Sequence, residues 1–184
     1  QVLFLQGGAS LQFYMSALNM LDPHSDETGA YINTGTWSTK AIKEAKRCGN
    51  ITTLWEPTGG VFNKVPTPSE YTVPENSLYL HYTSNNTIYG TQFPEAPSSS
   101  VPLIGDYSSD IAAGPIDISK HAIVYAGAQK NLGPSGVTAV ILSPWAVERS
   151  RYLNDKHGLP SMLNYGLMVD KNSMFNTPNT FGIF

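Results

Sequence analysis

The run Ala122-Ile123-Val124-Tyr125-Ala126 is continuously apolar, with no polar residue at alternate positions. A strand with one wet face alternates. A short apolar run of this length fits a strand buried on both faces. Comparable runs lie at 2–5, 30–34, 51–55, 77–83, 102–106 and 137–142. Between them the period changes. Leu11, Tyr14, Met15, Leu18 and Leu21 recur at helical spacing and give one apolar face. Ser38 reads as the cap of a helix reaching Cys48, with Ala41, Ile42 and Ala45 inward. Lys43, Lys46 and Arg47 fall late in it, where positive charge suits the helix dipole. Ser143-Pro144 opens another helix, to about Leu153. Strands alternating with helices predict an α/β fold, three layers α/β/α around a mostly parallel mixed sheet. Residues 56–74, rich in Pro and Gly, read as a surface excursion.

The chain has 184 residues, which fits one domain. Hydrophobic residues make up 41%, too many for a disordered polar tail. Charged residues are only 14%, below the roughly 25% of an average domain. Little charge implies much covered surface. A net charge of −3 and a pI near 5.7 do not point to nucleic acid. No apolar run is long enough to span a bilayer, so no membrane role is expected. The single cysteine, Cys48, excludes an internal disulfide framework and fits a reducing compartment. Two sequons, at Asn50 and Asn85, read as chance matches. His24, His81, His121 and His157 show no metal-ligand spacing.

In α/β sheets ligands meet the carboxyl ends of the strands. The first strand is followed by Gln6-Gly7-Gly8-Ala9-Ser10, a tight turn into a helix whose N–H groups suit phosphate. The second is followed by Gly35-Thr36-Trp37-Ser38, offering a flat ring for stacking. After residues 77–83 come Ser84, Asn85, Asn86 and Thr87, either turn chemistry or a set of polar contacts. Asp106 ends another strand, where a carboxylate is costly unless paired. Gly127-Ala128-Gln129-Lys130-Asn131-Leu132-Gly133-Pro134 encloses a lysine among small, uncharged residues. Burial there would lower its pKa and make the amine a nucleophile for a carbonyl. Phosphate cradle, stacking ring, carboxylate for a ring nitrogen and Schiff-base lysine together match the needs of pyridoxal phosphate.

These segments resemble the phosphoserine aminotransferase family, class V enzymes of the fold-type-I pyridoxal-phosphate group. The resemblance is carried by Phe4-Leu5-Gln6-Gly7-Gly8-Ala9-Ser10-Leu11-Gln12-Phe13, Gly35-Thr36-Trp37-Ser38, and the stretch from His81 to Gly90. Most specific is the stretch from Tyr125 through Lys130 to Gly136; Asp106-Tyr107-Ser108-Ser109-Asp110 and Phe175-Asn176-Thr177-Pro178 complete the set. The resemblance implies that Lys130 is the Schiff-base and proton-moving lysine. It assigns Asp106 to the pyridinium nitrogen, Trp37 to ring stacking and Thr87 to a hydrogen bond on the ring's phenolic oxygen. Ala9, Ser10 and Gln129 would bind the phosphate, and Asn176 and Thr177 would reach the cofactor of a second copy in a homodimer. The implied reaction moves the amino group of glutamate onto 3-phosphohydroxypyruvate, in the cytoplasm, as a step of serine biosynthesis.

Two departures matter. Ser10 stands where some members carry arginine. The family's chain is also much longer, so residues 1–184 read as its cofactor-binding large domain, without the N-terminal segment and the C-terminal small domain. Gln1 marks roughly where that N-terminal segment would join. Two other readings remain open: a non-catalytic pyridoxal-phosphate-binding or assembly fragment, and another class V aminotransferase. A cysteine desulfurase would need its cysteine on a mobile loop, and Cys48 falls late in a helix.

Overall fold

The structure is a computed structural model and describes residues 1–176. Its strands are β1 (Val2–Leu5), β2 (Thr28–Ile32), β3 (Asn50–Trp55), β4 (Ser77–Thr83), β5 (Asn85–Asn86), β6 (Thr91–Gln92), β7 (Leu103–Asp106), β8 (His121–Gly127) and β9 (Thr138–Leu142). The helices are α1 (Gly8–Met20), α2 (Thr36–Ala45), α3 (Pro144–His157) and α4 (Tyr165–Asp170). Seven strands form one sheet in the order β1-β9-β8-β7-β4-β2-β3, while β5 and β6 make a separate small hairpin. Pairing from β8 through β7, β4 and β2 to β3 is parallel throughout. Strand β9 runs against both neighbours, β8 and β1. This is the α/β, mostly parallel mixed sheet that the apolar runs predict.

The two faces are covered differently. Helices α1, α2, α3 and α4 bury Phe13, Met15, Ile42, Val147 and Met168 against Tyr31, Tyr79, Ile123 and Val140. The other face carries Ile32, Leu80, Tyr82, Leu103 and Val124. Among the described residues it is covered by irregular chain, through Val65, Tyr71, Val73, Ala96 and Ile111. Proline at 66, 68, 74, 94, 97 and 102 prevents helix there, but the apolar side chains between still pack. The excursion over 56–74 is thus a layer of the domain. Strand β1 is at the sheet's edge and alternates, with Leu3 and Leu5 buried and Val2 and Phe4 exposed. Helix α2 begins two residues before the expected cap. Ser38 lies in its first turn and accepts from the N–H groups of Thr34 and Gly35 at 2.9 and 3.0 Å.

Between the helices and the sheet lies a buried set of polar rings. The Tyr31 and Tyr79 hydroxyls meet at 3.0 Å. His81 stacks on Tyr31, centroids 4.6 Å apart, and its Nε2 is 2.8 Å from the Tyr125 hydroxyl. Its Nδ1 has no partner among the described residues, so a second ring proton would have no acceptor. Burial pushes the His81 pKa from 6.5 down to about 3. The folded chain therefore keeps a neutral ring while the unfolded chain takes up a proton. The penalty is absent above pH 6.5 and grows as pH falls toward 3. Denaturant unfolding between pH 7 and pH 4 should show this group removing up to about 1.4 kcal/mol per pH unit. His81→Gln should flatten that part of the slope. An unchanged slope in the variant would rule out His81 as its source.

Candidate active site

Parallel pairing brings the carboxyl ends of β2, β4, β7 and β8 to one edge of the sheet. The end of β1 joins them, since Leu5 and Gly127 both pair with Thr138 of β9. Along that edge lies a cavity of about 510 Å³ lined by Gly7, Gly8, Ala9, Ser10, Phe13 and Trp37, with Asp106, Ser108, Gln129, Lys130, Ser135 and Gly136 opposite. Asn85 and Ser109 complete its wall. Six of the residues singled out in the sequence (Ala9, Ser10, Trp37, Asp106, Gln129 and Lys130) share this one space.

The wall at the start of α1 is backbone. Gly7 precedes the helix at φ 92°, a left-handed conformation, and a Cβ there would come within 2.4 Å of the Leu11 side chain. No side chain caps the helix, so its first-turn N–H groups remain available to an anion.

Asp106, at the end of β7, is 4% exposed. Its Oδ1 accepts from the Ser108 hydroxyl at 2.7 Å and from the Ser108 N–H at 3.0 Å. Burial raises its pKa, while the two Ser108 bonds and the charge of Lys130 pull it back. Oδ2 accepts nothing from the described residues. A buried carboxylate with one oxygen uncommitted at a cavity wall fits a cationic ring nitrogen, the group that pyridoxal phosphate would bring.

Lys130 lies in the turn after β8 and is exposed, so burial does not activate it as the sequence reading expected. A one-dimensional reading sees its small neighbours but not that they leave the chain open to the cavity. Its Nζ donates to Thr87 Oγ1 at 3.0 Å and stands 5.0 Å from the Trp37 ring centroid. The Trp37 indole N–H donates to the same Thr87 oxygen at 3.2 Å. Thr87 thus ties the lysine to the indole. Asn176 does not line this cavity; it borders a small one with Leu5, Gln6 and Leu11. Thr177 lies outside the described residues.

The residues that sequence reasoning missed act at one remove. Asn86 is fully buried. Its Oδ1 accepts from the Trp37 and Ser38 N–H groups at 3.1 and 3.4 Å, and its Nδ2 donates to Thr34 Oγ1 at 2.8 Å. It caps α2 from a distant hairpin. Gly35 has room only for hydrogen here, because a Cβ would lie 2.7 Å from the Asn86 amide carbon. Asn85 and Asn86 read in the sequence as either turn chemistry or a set of polar contacts; the structure gives Asn86 to the helix. Ser108 was visible only as a neighbour of Asp106, two residues on, the spacing of a local carboxylate turn.

The aminotransferase class-V family model matches residues 1–184. The chain belongs to the class-V aminotransferases. Phosphoserine aminotransferase of Desulfotalea psychrophila is 49% identical over 184 residues, covering 100% of this chain and 49% of the relative. The solved phosphoserine aminotransferase from Bacillus circulans subsp. alkalophilus is 47% identical with a TM-score of 0.86, covering 100% of this chain and 49% of that one. A phosphoserine aminotransferase from Trichomonas vaginalis, solved with pyridoxal phosphate bound, has a TM-score of 0.85 at 34% identity, over 97% of this chain and 52% of that one. The chain spans about half the length of the curated relatives it matches.

Asn86→Ala removes the acceptor for two helix N–H groups. It should lower stability by about 1–2 kcal/mol and loosen Trp37, with a red shift in the emission that Trp37→Phe abolishes. Asn86→Asp keeps the acceptor and should retain most of both. Unchanged stability and emission in Asn86→Ala would remove Asn86 from this role.

Proposed function

We propose that residues 1–184 are the cofactor-binding large domain of a phosphoserine aminotransferase. It takes pyridoxal phosphate and, within the longer protein, moves the amino group of glutamate onto 3-phosphohydroxypyruvate, giving phosphoserine and 2-oxoglutarate. The observation that carries this reading is the buried Asp106 carboxylate, with one oxygen uncommitted, in the same cavity as the Lys130 amine. The names of the relatives support the choice of substrates.

When bound, the cofactor supplies an electron sink that makes the Cα proton of an amino acid removable. The chain's residues do the rest. Asp106 would hold a positive ring nitrogen through Oδ2. Trp37 would offer its face to the ring, and Thr87 orients both the indole N–H and the Lys130 amine. Lys130 would be the residue that holds the cofactor, and its free Nζ the base for the substrate Cα proton. The N–H groups of Ala9 and Ser10, the Ser10 hydroxyl and the Gln129 amide would hold the phosphate. Asn176 and Thr177 serve the phosphate of a second copy, in a cytoplasmic homodimer. Cysteine chemistry is disfavoured: Cys48 lies past the far end of α2 and does not line the cavity, and burial together with Glu44 pushes its thiol up to about 12.

Borohydride treatment of the full-length protein with pyridoxal phosphate should leave the cofactor's mass on the Lys130 peptide, and Lys130→Ala should show neither label nor turnover. Turnover should favour 3-phosphohydroxypyruvate over glyoxylate as amino acceptor. Label at another lysine sinks the site assignment; preference for glyoxylate sinks the substrate assignment.

A further inference from the structure

Ser108 makes three hydrogen bonds, and all three bear on Asp106. The Gly127 N–H donates to Ser108 Oγ at 3.0 Å, the Oγ–H donates to Asp106 Oδ1 at 2.7 Å, and the Ser108 N–H donates to the same oxygen at 3.0 Å. Because Gly127 occupies the hydroxyl as acceptor, its hydrogen is free to point at the carboxylate. Two donors on Oδ1 stop the carboxylate from rotating, so Oδ2 is the oxygen left for a ligand. Ser108 is buried, so water does not compete for these bonds. Gly127 is the last residue of β8 and precedes Lys130 by three. The hydroxyl thereby joins the end of β7, which carries the carboxylate, to the end of β8, which carries the lysine.

We infer that Ser108 is a positioning residue for the cofactor's ring nitrogen: it orients Asp106 through two hydrogen bonds to Oδ1, and through Gly127 sets the distance between carboxylate and lysine turn. The inference rests on the reading of this cavity as a pyridoxal-phosphate site. Burial alone would favour the neutral acid, and hydrogen bonds from Ser108 oppose that. Without the hydroxyl, Asp106 keeps its place in β7 but loses one of the two donors that fix its orientation, and its grip on a protonated ring nitrogen weakens.

The test compares pyridoxal phosphate with its 1-deaza analogue, which has carbon in place of the ring nitrogen. Both are titrated into the full-length protein, with binding followed by absorbance and folding by thermal unfolding of the cofactor-free form. Wild type should prefer pyridoxal phosphate. Ser108→Ala should shrink that preference by about tenfold, the worth of a hydrogen bond to a charged group, with little change for the analogue. Ser108→Thr, which keeps the hydroxyl, should restore it. In an Asp106→Asn background, Ser108→Ala should have no further effect on the preference. If Ser108→Ala weakens both ligands equally, the serine is only structural and the inference is overturned. If wild type does not discriminate between the two, the pairing of Asp106 with a ring nitrogen fails, and the inference with it. Should Ser108→Ala not fold, Ser108→Cys, a weaker donor, is measured in the same way and is expected to reduce the preference; an undiminished preference overturns the inference.

Discussion

The pairing of β2, β4, β7 and β8 is parallel, so four buried strands end at the same edge of the sheet. Inside the sheet each backbone group has a ladder partner. Past the edge the ladder continues for a residue or two, as in Ser84 N–H to Asp106 O and Tyr107 N–H to Tyr125 O, and then ends. Side chains from near and distant segments take the groups beyond it. Asn86 receives the first N–H groups of α2, Ser38 receives those of the turn before it, and Ser108 receives the last N–H of β8. The same bonds that complete the backbone accounting also fix Trp37 and Asp106. Stability and site geometry therefore rest on one set of contacts.

The polar rings inside the sheet follow a similar logic. Each of these tyrosine and histidine rings has a polar partner from another segment. Tyr31 meets Tyr79, His81 meets Tyr125, and Tyr82 meets both Tyr107 at 2.6 Å and His121 Nε2 at 2.9 Å. These pairs form only in one register, the register that sets Thr83 beside Asp106 and Asp106 beside Tyr125. A slip of one residue would leave every one of them unpaired in the interior, at a cost far above that of a slipped hydrocarbon pair. The alignment of strand ends, on which the cavity depends, is held by polar groups as well as by packing.

Much of this was legible in the residue order, because it depends on local pattern. Unbroken apolar runs marked the central strands, helical spacing marked α1 and α2, and the Ser143-Pro144 start marked α3. Residues in tight turns after the strands, such as Gly7, Trp37, Asp106 and Lys130, could be placed at one edge once the sheet was taken as parallel. What was not legible needs the third dimension. Ser38 looks like a cap because its own position is local, whereas the partner that moves the helix start, Asn86, is 49 residues from Trp37. The exposure of Lys130 depends on how the turn after β8 opens. The cover of the second face was obscured by its prolines, which forbid helix yet leave Val65, Tyr71 and Val73 free to pack.

Charge in the cavity gives the last constraint. Among the described lining residues Lys130 is the one cation and Asp106 the one anion. The lysine's charge lowers the carboxyl's raised pKa. On the proposed reading, the cofactor takes over both ends of that balance. Its ring nitrogen supplies a cation close to Asp106, and its attachment uses the lysine amine, so the carboxylate exchanges one positive neighbour for another and is not left bare. The phosphate has no such exchange partner. With Ser10 at the start of α1 and no arginine among the described lining residues, helix N–H groups, hydroxyls and an amide are what this wall offers it. Neutral donors hold an anion by direction more than by charge. The geometry of the Gly7 turn, which sets where those donors point, is then as much a part of the binding site as any side chain.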